Sequence, residues 1–185
     1  MAKELNDYSG PFNPDLTFED FSKEFLIKLM HVWQYAWLHM TQAWYEAVEE
    51  RCGSDLANEA ELDAWVKMGG RVNPRYAKVA NIQLDSIADC MKCLQLPLDN
   101  IMGGIFPVEI EFKSKNVAHL TVRHCRSLQF FEEKDPIRIK TLCPNEGKVM
   151  EKYLVHPKAK ATPLKLPPRD SEDAISCIWE FSIEE

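Results

Sequence analysis

The stretches VEIEFK, residues 108–113, and NVAHLTVRHC, residues 116–125, decide the fold class. Apolar and polar residues alternate in both, and this period of two is typical of half-buried β-strands. The connection at 114–116 is short, so we predict an antiparallel hairpin. Two further strands are predicted in ATPLKL, 161–166, and AISCIWEFSI, 174–183, which gives a sheet of about four strands.

The chain ahead of the hairpin begins with an extended arm and then becomes helical in its periodicity. Glycine and proline residues in 1–16 predict the arm, and Thr17 with Asp20 predicts a helix N-terminus. Apolar residues recur every three or four positions across 21–48 in two adjacent rows. This pattern predicts a long helix that is covered on more than one side. Gly53 is its expected C-terminal stop.

Two further helices are predicted before the hairpin. The second helix covers about 55–68 and is expected to end at a Gly-Gly pair. An Asn-Pro pair then predicts a new helix over 74–96, because proline is favoured in the first turn of a helix. Residues 97–106 have the composition of a linker.

One helix is predicted between the two pairs of strands. It covers 136–154, and we expect Pro144 to lie in its first turn or to break it. The predicted class is therefore α+β: an N-terminal three-helix region, 17–96, followed by a β-β-α-β-β antiparallel sheet domain, 107–185. We expect the two regions to form one compact unit.

Composition and charge narrow the functional classes. Hydrophobic residues make up 45% of the 185 residues, and the net charge is -7. An acidic protein is a poor partner for nucleic acid and for anionic membranes. No run reaches the ~18 apolar residues of a membrane span, and the N-terminus lacks the apolar core of a signal peptide. We therefore expect a cytoplasmic protein, with its six cysteines as free thiols or ligands.

Aromatic residues concentrate in the first predicted helix. Trp33, Trp37 and Trp44 follow one another closely, and His39 lies among them. Such a group is typical either of a packing seam or of a pocket for a flat apolar ligand. These four residues are the candidate ligand-binding residues. The same helix is a candidate homodimer interface, since its apolar rows face more than one direction.

The pair Cys90 and Cys93 has C-x-x-C spacing, which occurs in zinc sites and in redox sites. Here it lies late in a predicted helix, where the helix dipole opposes a thiolate. We predict two buried and inert thiols.

Three later cysteines are candidates for one shared site. Cys125 ends a predicted strand, Cys143 precedes a proline near a predicted helix start, and Cys177 faces inward on the last strand. Their arrangement leaves three alternatives open. They are small core residues, ligands of zinc or iron, or a catalytic group with Cys143 as nucleophile and His124 as base.

Several segments resemble known families. The matching segments are AWYEAVEERCG at 43–53, HC at 124–125, CP at 143–144 and LPPRDSEDAISCIWEF at 166–181. They resemble a group of small bacterial and archaeal cytosolic proteins. These in turn distantly resemble the L-2-amino-thiazoline-4-carboxylic acid hydrolase-like family and the 4-vinyl reductase type of small-molecule-binding domain. The resemblance implies that Cys125, Cys143 and Cys177 take the places of the late cysteines in those sheet domains.

Three functions are compatible with these features. The first, which we favour, is binding of a small apolar or aromatic molecule, with a thiolate-bound zinc or iron as an option. The second is a hydrolase of a small heterocyclic or amide substrate, with Cys143 as nucleophile, His124 or His156 as base, and Glu132 or Asp135 to orient it. The third is a helical accessory or assembly subunit. The sequence carries neither a P-loop nor a G-x-S-x-G serine motif.

Overall fold

A computed structural model describes residues 4–98, 104 and 107–184. Within these residues, a short 3-10 helix, Phe18–Asp20, precedes five α-helices and four strands. In chain order these are α1 (Lys23–Cys52), α2 (Ser54–Val79), α3 (Ile87–Gln95), β1 (Val108–Phe112), β2 (Val117–Val122), α4 (Arg126–Lys134), α5 (Pro136–Tyr153), β3 (Ala159–Lys165) and β4 (Cys177–Ile183). Most of the linker predicted at 97–106 lies outside the described residues.

The sheet is antiparallel, with strand order β1-β2-β4-β3. The predicted hairpin is confirmed, and Ile110 of β1 lies opposite Leu120 of β2. Leu120 also lies opposite Trp179 of β4, so the last strand joins the hairpin at its inner edge. The α+β class is therefore confirmed, with the helical region ahead of the sheet.

The core lies between one face of the sheet and the helices α3 and α5. Alternate residues of β2 and β4 point into it, as their period of two predicts. Its buried members include Ile87, Cys90, Met91, Leu94, Ala118, Leu120, Val122, Val149, Met150, Tyr153, Trp179 and Phe181. Cys90 and Cys93 are both fully buried, as predicted. The predicted helix over 74–96 is wrong, because α3 begins only at Ile87 and Cys90 therefore lies in its first turn and not late in a helix. Burial, and not the helix dipole, raises the pKa of Cys90.

The predicted break after residue 68 is wrong, because α2 continues through the glycine pair and through Pro74 to Val79. Gly69 is needed for close packing, not for ending the helix. A Cβ built there would lie 2.7 Å from Cδ1 of Tyr153 on α5. The helix is held by this crossing and by Asn73, whose side-chain amide donates to the Tyr153 carbonyl at 3.0 Å. Tertiary packing thus offsets the local cost of proline and glycine.

The single helix predicted between the strand pairs is two helices, α4 and α5. Cys125 caps α4, and its sulfur accepts a hydrogen bond from the Leu128 amide at 3.4 Å. Asp135 separates the two helices, and proline begins α5 at residue 136. Pro144 lies inside α5 without ending it, which corrects the prediction that it would break the helix or lie in its first turn. Packing of α5 against α2 and β3 outweighs the lost backbone hydrogen bond.

The first helix lies on the outside of the molecule and packs against α2. The predicted cap forms one turn early: Thr17 donates its amide to Asp20 at 2.7 Å, and Ser22 then caps α1 itself. Gly53 alone connects α1 to α2, with φ of +84° and ψ of 161°. Within the described ranges, no helix combines the length and the apolarity that crossing a bilayer requires.

Candidate functional site

An apolar groove lies between α1 and α2, with a cavity volume of about 180 Å³. It is lined by Trp37, Met40, Thr41, Trp44, Glu61, Ala64, Trp65 and Met68. Three indole rings and two thioethers thus form most of its wall. The groove is open to solvent on one side, since Trp37 is 43% exposed and Trp44 is 41% exposed.

Helical spacing explains why these side chains meet. Trp37 and Trp44 are seven residues apart, which is about two turns, so they lie on the same face of α1. Trp65 projects from α2, and its ring meets Trp37 edge-on, with centroids 6.3 Å apart at 86°. Edge-to-face contact is a favourable geometry for aromatic pairs. This contact fixes the angle between two walls of the groove.

A buried ion pair joins a residue of the groove wall to α5. Glu61 lines the groove, and its carboxylate accepts a hydrogen bond from Nη2 of Arg138 at 2.6 Å. The Arg138 guanidinium lies 3.6 Å from the ring centre of Tyr45 and 4.4 Å from that of Phe131. Burial raises the pKa of Tyr45 to about 12, so this ring stays a neutral phenol below the cation.

The four predicted ligand-binding residues do not share one site. Trp37 and Trp44 line the groove. Trp33 contacts Phe18 instead, with ring centroids 5.8 Å apart, and His39 lies exposed against the ring of Tyr35 at 4.0 Å. Neither Trp33 nor His39 is part of the groove wall.

The three later cysteines lie together where β2 ends and β4 begins. Cys177 pairs with Val122 in the sheet, and Cys125 follows three residues after Val122. Cys143 comes from α5, the helix that covers this region of the core. All three are free thiols and half-buried. They are close enough for a charge on Cys125 or Cys177 to raise the pKa of Cys143.

These three thiols stay protonated at neutral pH. Burial raises the pKa of Cys143 to about 12, and the neighbouring thiols and Glu146 add to the effect. Burial also raises the pKa of Cys177 to about 12 and lifts the pKa of Cys125 above its ordinary value. Since the thiolate is the nucleophile, this environment opposes nucleophilic catalysis by these cysteines.

The proposed partners of the thiols are placed less favourably. His124 is exposed beyond the end of β2. His156 follows the far end of α5, and about 15 Å of helix separates Cys143 from that end. Among the described residues, no three His, Cys, Asp or Glu side chains are arranged to hold a metal ion. The zinc or iron predicted at Cys125, Cys143 and Cys177 thus has no formed ligand set.

A second buried cation borders the thiols. Arg169 donates from Nε to Glu132 at 2.9 Å and from Nη2 to the other carboxylate oxygen, a bidentate pair with its guanidinium inside the protein. Its charge also lies near Cys125. Glu132 is therefore engaged by an arginine and is not oriented toward a histidine.

The sequence did not predict the α2 side of the groove or Arg138, the cation that pairs with Glu61 of its wall. Trp65 and Met68 belong to an apolar row of α2, but nothing in their spacing says which helix they face. Glu61 and Arg138 are 77 residues apart, and no local pattern marks them as a pair. A charged residue inside an otherwise amphipathic helix is the weak signal that Arg138 offers.

Comparison with known proteins gives a family. A family described as a family of unknown function, DUF6125, matches residues 19–183, which is most of the chain. The chain therefore belongs to that family. No curated protein and no solved structure gives a significant match.

Proposed function

We propose that this member of the DUF6125 family binds a small, flat, apolar molecule in the groove between α1 and α2. The observation that carries the proposal is the groove wall itself: three tryptophans from two helices line one groove. Ligand sites are mostly apolar and aromatic with few polar groups, and this wall has that composition.

The cavity volume sets the size of the ligand. At about 180 Å³ the groove is smaller than sites for drug-sized molecules, which occupy ~300–1,000 Å³. An apolar cavity of ~150 Å³ holds one benzene ring. The groove therefore suits a molecule of one or two fused rings, stacked or edge-on against the indoles.

Glu61 gives the groove its polar preference. It is the charged residue of the wall, and its carboxylate accepts hydrogen bonds. A ligand with a ring N–H or O–H group is therefore favoured over a pure hydrocarbon. A ligand carboxylate is disfavoured, because it would lie against the carboxylate of Glu61.

Indole tests the proposal directly, since it has two fused rings and one N–H donor. We expect ligand-observed saturation-transfer NMR to show binding of indole to the full chain. The expected affinity is on the order of millimolar to micromolar, because so small a ligand makes few contacts. Indole-2-carboxylate, which adds an acid to the same rings, is expected to bind more weakly.

Matched variants locate the site. Trp37→Leu and Trp44→Leu remove indole rings from the groove wall and are expected to weaken binding strongly. Tyr35→Leu removes an exposed aromatic ring from the same helix outside the groove, and binding is expected to persist. If Tyr35→Leu weakens binding as much as Trp37→Leu, or if the wild-type chain does not bind indole, the proposal is wrong.

The hydrolase alternative has less support. A nucleophilic cysteine needs thiolate character at neutral pH, and burial raises the pKa of Cys143 to about 12. Alkylation kinetics separates the two functions. We expect iodoacetamide at pH 8 to modify exposed Cys52 first and Cys143 slowly. Cys143 reacting fastest would favour the hydrolase over the binding protein.

Two expectations from the sequence remain, namely a bound metal and a cytoplasmic location. No step of the proposed binding involves a metal, because the described residues form no ligand set for one. We also propose a cytoplasmic location, and the six cysteines support it because all six are free thiols.

A further inference from the structure

The outer surface of α1 is apolar in a way that a solvated helix is not. The buried residues of α1 are Gln34, which is polar, and Tyr45, whose ring belongs to the hydrophobic core. The exposed side chains are larger and more apolar: Trp33 is 48% exposed and Met40 is 66% exposed. Residues 29–45 contain no Asp, Glu, Lys or Arg. Interface cores share this composition, being depleted in charge and enriched in aromatic residues and methionine.

One row of apolar residues runs along this surface of α1. Met30, Trp33, Trp37, Met40 and Trp44 are separated alternately by three and four residues. This is the spacing of a seam along which a second helix packs. We call these five residues the α1 seam. Trp37, Met40 and Trp44 also line the groove, so a helix lying on the seam covers the open side of the groove.

We propose that a second copy of this chain lies antiparallel along the α1 seam, so that two copies together enclose each ligand groove. The inference rests on the proposed function for the ligand, while the interface itself stands on the seam. It assigns the homodimer to one face of one helix and makes the partner copy part of the binding site.

The seam is complementary to itself in the antiparallel direction. A two-fold axis between Trp37 and Met40 places Trp37 of one copy beside Met40 of the other. The same axis places Trp33 beside Trp44, and Met30 beside Ala47. Each layer thus joins apolar side chains, and no layer brings like charges together. Self-complementarity of this kind is what a two-fold interface requires.

The four most exposed seam residues supply a little over half the area of a standard interface. A large side chain presents ~150–250 Å² when fully exposed, so the four most exposed seam residues present roughly 450 Å² per copy. A standard interface buries about 800 Å² per partner. Exposed Ala36 and Ala43 lie beside the seam and let the partner helix approach closely, and their contacts supply further area.

Charge favours a second copy over a lipid surface. Helices that lie on membranes carry lysine and arginine on their polar face. The seam segment has none, and the chain has a net charge of -7, which anionic lipid repels. The seam segment itself carries no Asp, Glu, Lys or Arg, so a second copy brings no like charges together at the contact.

Closure by the partner also meets a requirement of the ligand. Binding sites bury most of a ligand's surface, whereas this groove leaves Trp37 and Trp44 about two-fifths exposed. The partner's seam supplies the missing wall. Trp33 lies outside the groove of its own copy, and in the dimer it lies beside Trp44 of the other copy.

Analytical ultracentrifugation of the full chain at micromolar concentration tests the interface. We expect a dimer. Trp33→Glu places a charge on the seam and is expected to weaken dimerisation about tenfold or more. Val32→Glu is the matched control, because Val32 is 59% exposed on the same helix but lies off the seam. A monomeric wild-type chain, or equal effects of the two variants, would overturn the proposal.

Crosslinking tests the direction of the helices. In a Cys52→Ser background, we expect a mixture of Met30→Cys and Ala47→Cys chains to form an interchain disulfide under mild oxidation. Each variant alone is expected to form much less. If each variant links to itself instead, the helices are parallel and the antiparallel arrangement is wrong. If the chain is monomeric and floats with phosphatidylglycerol vesicles, the seam binds a lipid surface and not a second copy, and the proposal is wrong.

Indole binding separates the interface from the ligand. Trp33→Glu leaves the groove wall intact, so it weakens indole binding, by about tenfold, only if the partner completes the site. A dimer that fails to bind indole contradicts the proposed function and leaves the interface standing. A monomer that binds indole leaves the proposed function standing and contradicts the inference.

Discussion

Arg138 of α5 donates from Nη2 to the carboxylate of Glu61 on α2 at 2.6 Å, and both side chains are largely withdrawn from water. Two aromatic rings cover the faces of the guanidinium, and its Nε has no hydrogen-bond partner among the described residues. The pair joins the helix that packs on the sheet to the helix that forms the groove. Breaking this ion pair is therefore expected to disturb both the packing of α5 on the sheet and the wall of the groove.

Removing one member of this pair is expected to destabilise the protein strongly. Arg138→Leu leaves Glu61 as a buried, uncompensated carboxylate, so we expect a loss of roughly 3–5 kcal/mol in the free energy of unfolding. Urea denaturation measures it. The control is Lys67→Leu, which breaks the exposed Lys67–Asp63 pair on α2, the helix that carries Glu61. It is expected to cost about 0–1 kcal/mol. The double variant Arg138→Leu/Glu61→Leu is expected to recover part of the loss. Equal losses for Arg138→Leu and Lys67→Leu would contradict this account.

The two adjacent glycines of α2 are expected to respond oppositely to alanine. At Gly69 a Cβ would lie 2.7 Å from the buried ring of Tyr153, so Gly69→Ala is expected to cost about 1–3 kcal/mol through overpacking. At Gly70 a Cβ meets nothing within 4 Å, and Gly70→Ala is expected to add about 0.5–1 kcal/mol through helix propensity. Thermal unfolding of both variants measures the contrast. A stabilising Gly69→Ala would show that α2 and α5 are less closely packed than described.

Stability is expected to fall above about pH 9. Burial raises the pKa of the fully buried Cys90 thiol to about 12, while in the unfolded chain the thiol titrates near its ordinary value of 9.0. Between these two values the unfolded chain binds fewer protons than the folded one. The stabilisation is therefore complete below pH 9 and is lost as the pH rises toward 12. The expected slope is about 1.4 kcal/mol per pH unit for this one thiol.

Urea unfolding at a series of alkaline pH values measures this slope. Cys90→Ala is expected to lower stability at pH 8 but to show a shallower decline, because one of the buried thiols is gone. Cys52→Ala removes an exposed thiol at the end of α1 and serves as the control. An unchanged slope in Cys90→Ala would mean that Cys90 ionises alike in the folded and unfolded chains.

The sheet could be predicted from local pattern because its strands are half-buried. Leu120 and Trp179 lie in runs of alternating polarity, and the period of two states which face is inside. The ends of α2 could not be predicted in this way. Gly69 has the local chemistry of a helix end, yet its role is set by Tyr153, 84 residues later. Close approach between distant segments leaves no mark in the spacing of either one.

The candidate site was also predictable only in part. Trp37 and Trp44 are seven residues apart and share a helix face, so the sequence predicts that their side chains lie on one side of α1. Trp33 lies on the same face of α1 but beyond the groove wall, where Phe18 of the 3-10 helix contacts it. Cys125 and Cys177 lie at the neighbouring ends of β2 and β4, and Cys143 comes from α5, but the three form no ligand set among the described residues. Their ionisation depends on burial, which the sequence does not report.

Gly53 gives the helical hairpin an unusual vulnerability. It is the single residue between helices of 30 and 26 residues, and its backbone lies in a region that is essentially restricted to glycine. Nothing lies within 4 Å of a Cβ placed there, so the restriction comes from the backbone alone and not from crowding. We expect an L-residue at this hinge to destabilise the closed helical hairpin. The tryptophan wall of a single chain therefore depends on one backbone conformation that glycine alone adopts readily.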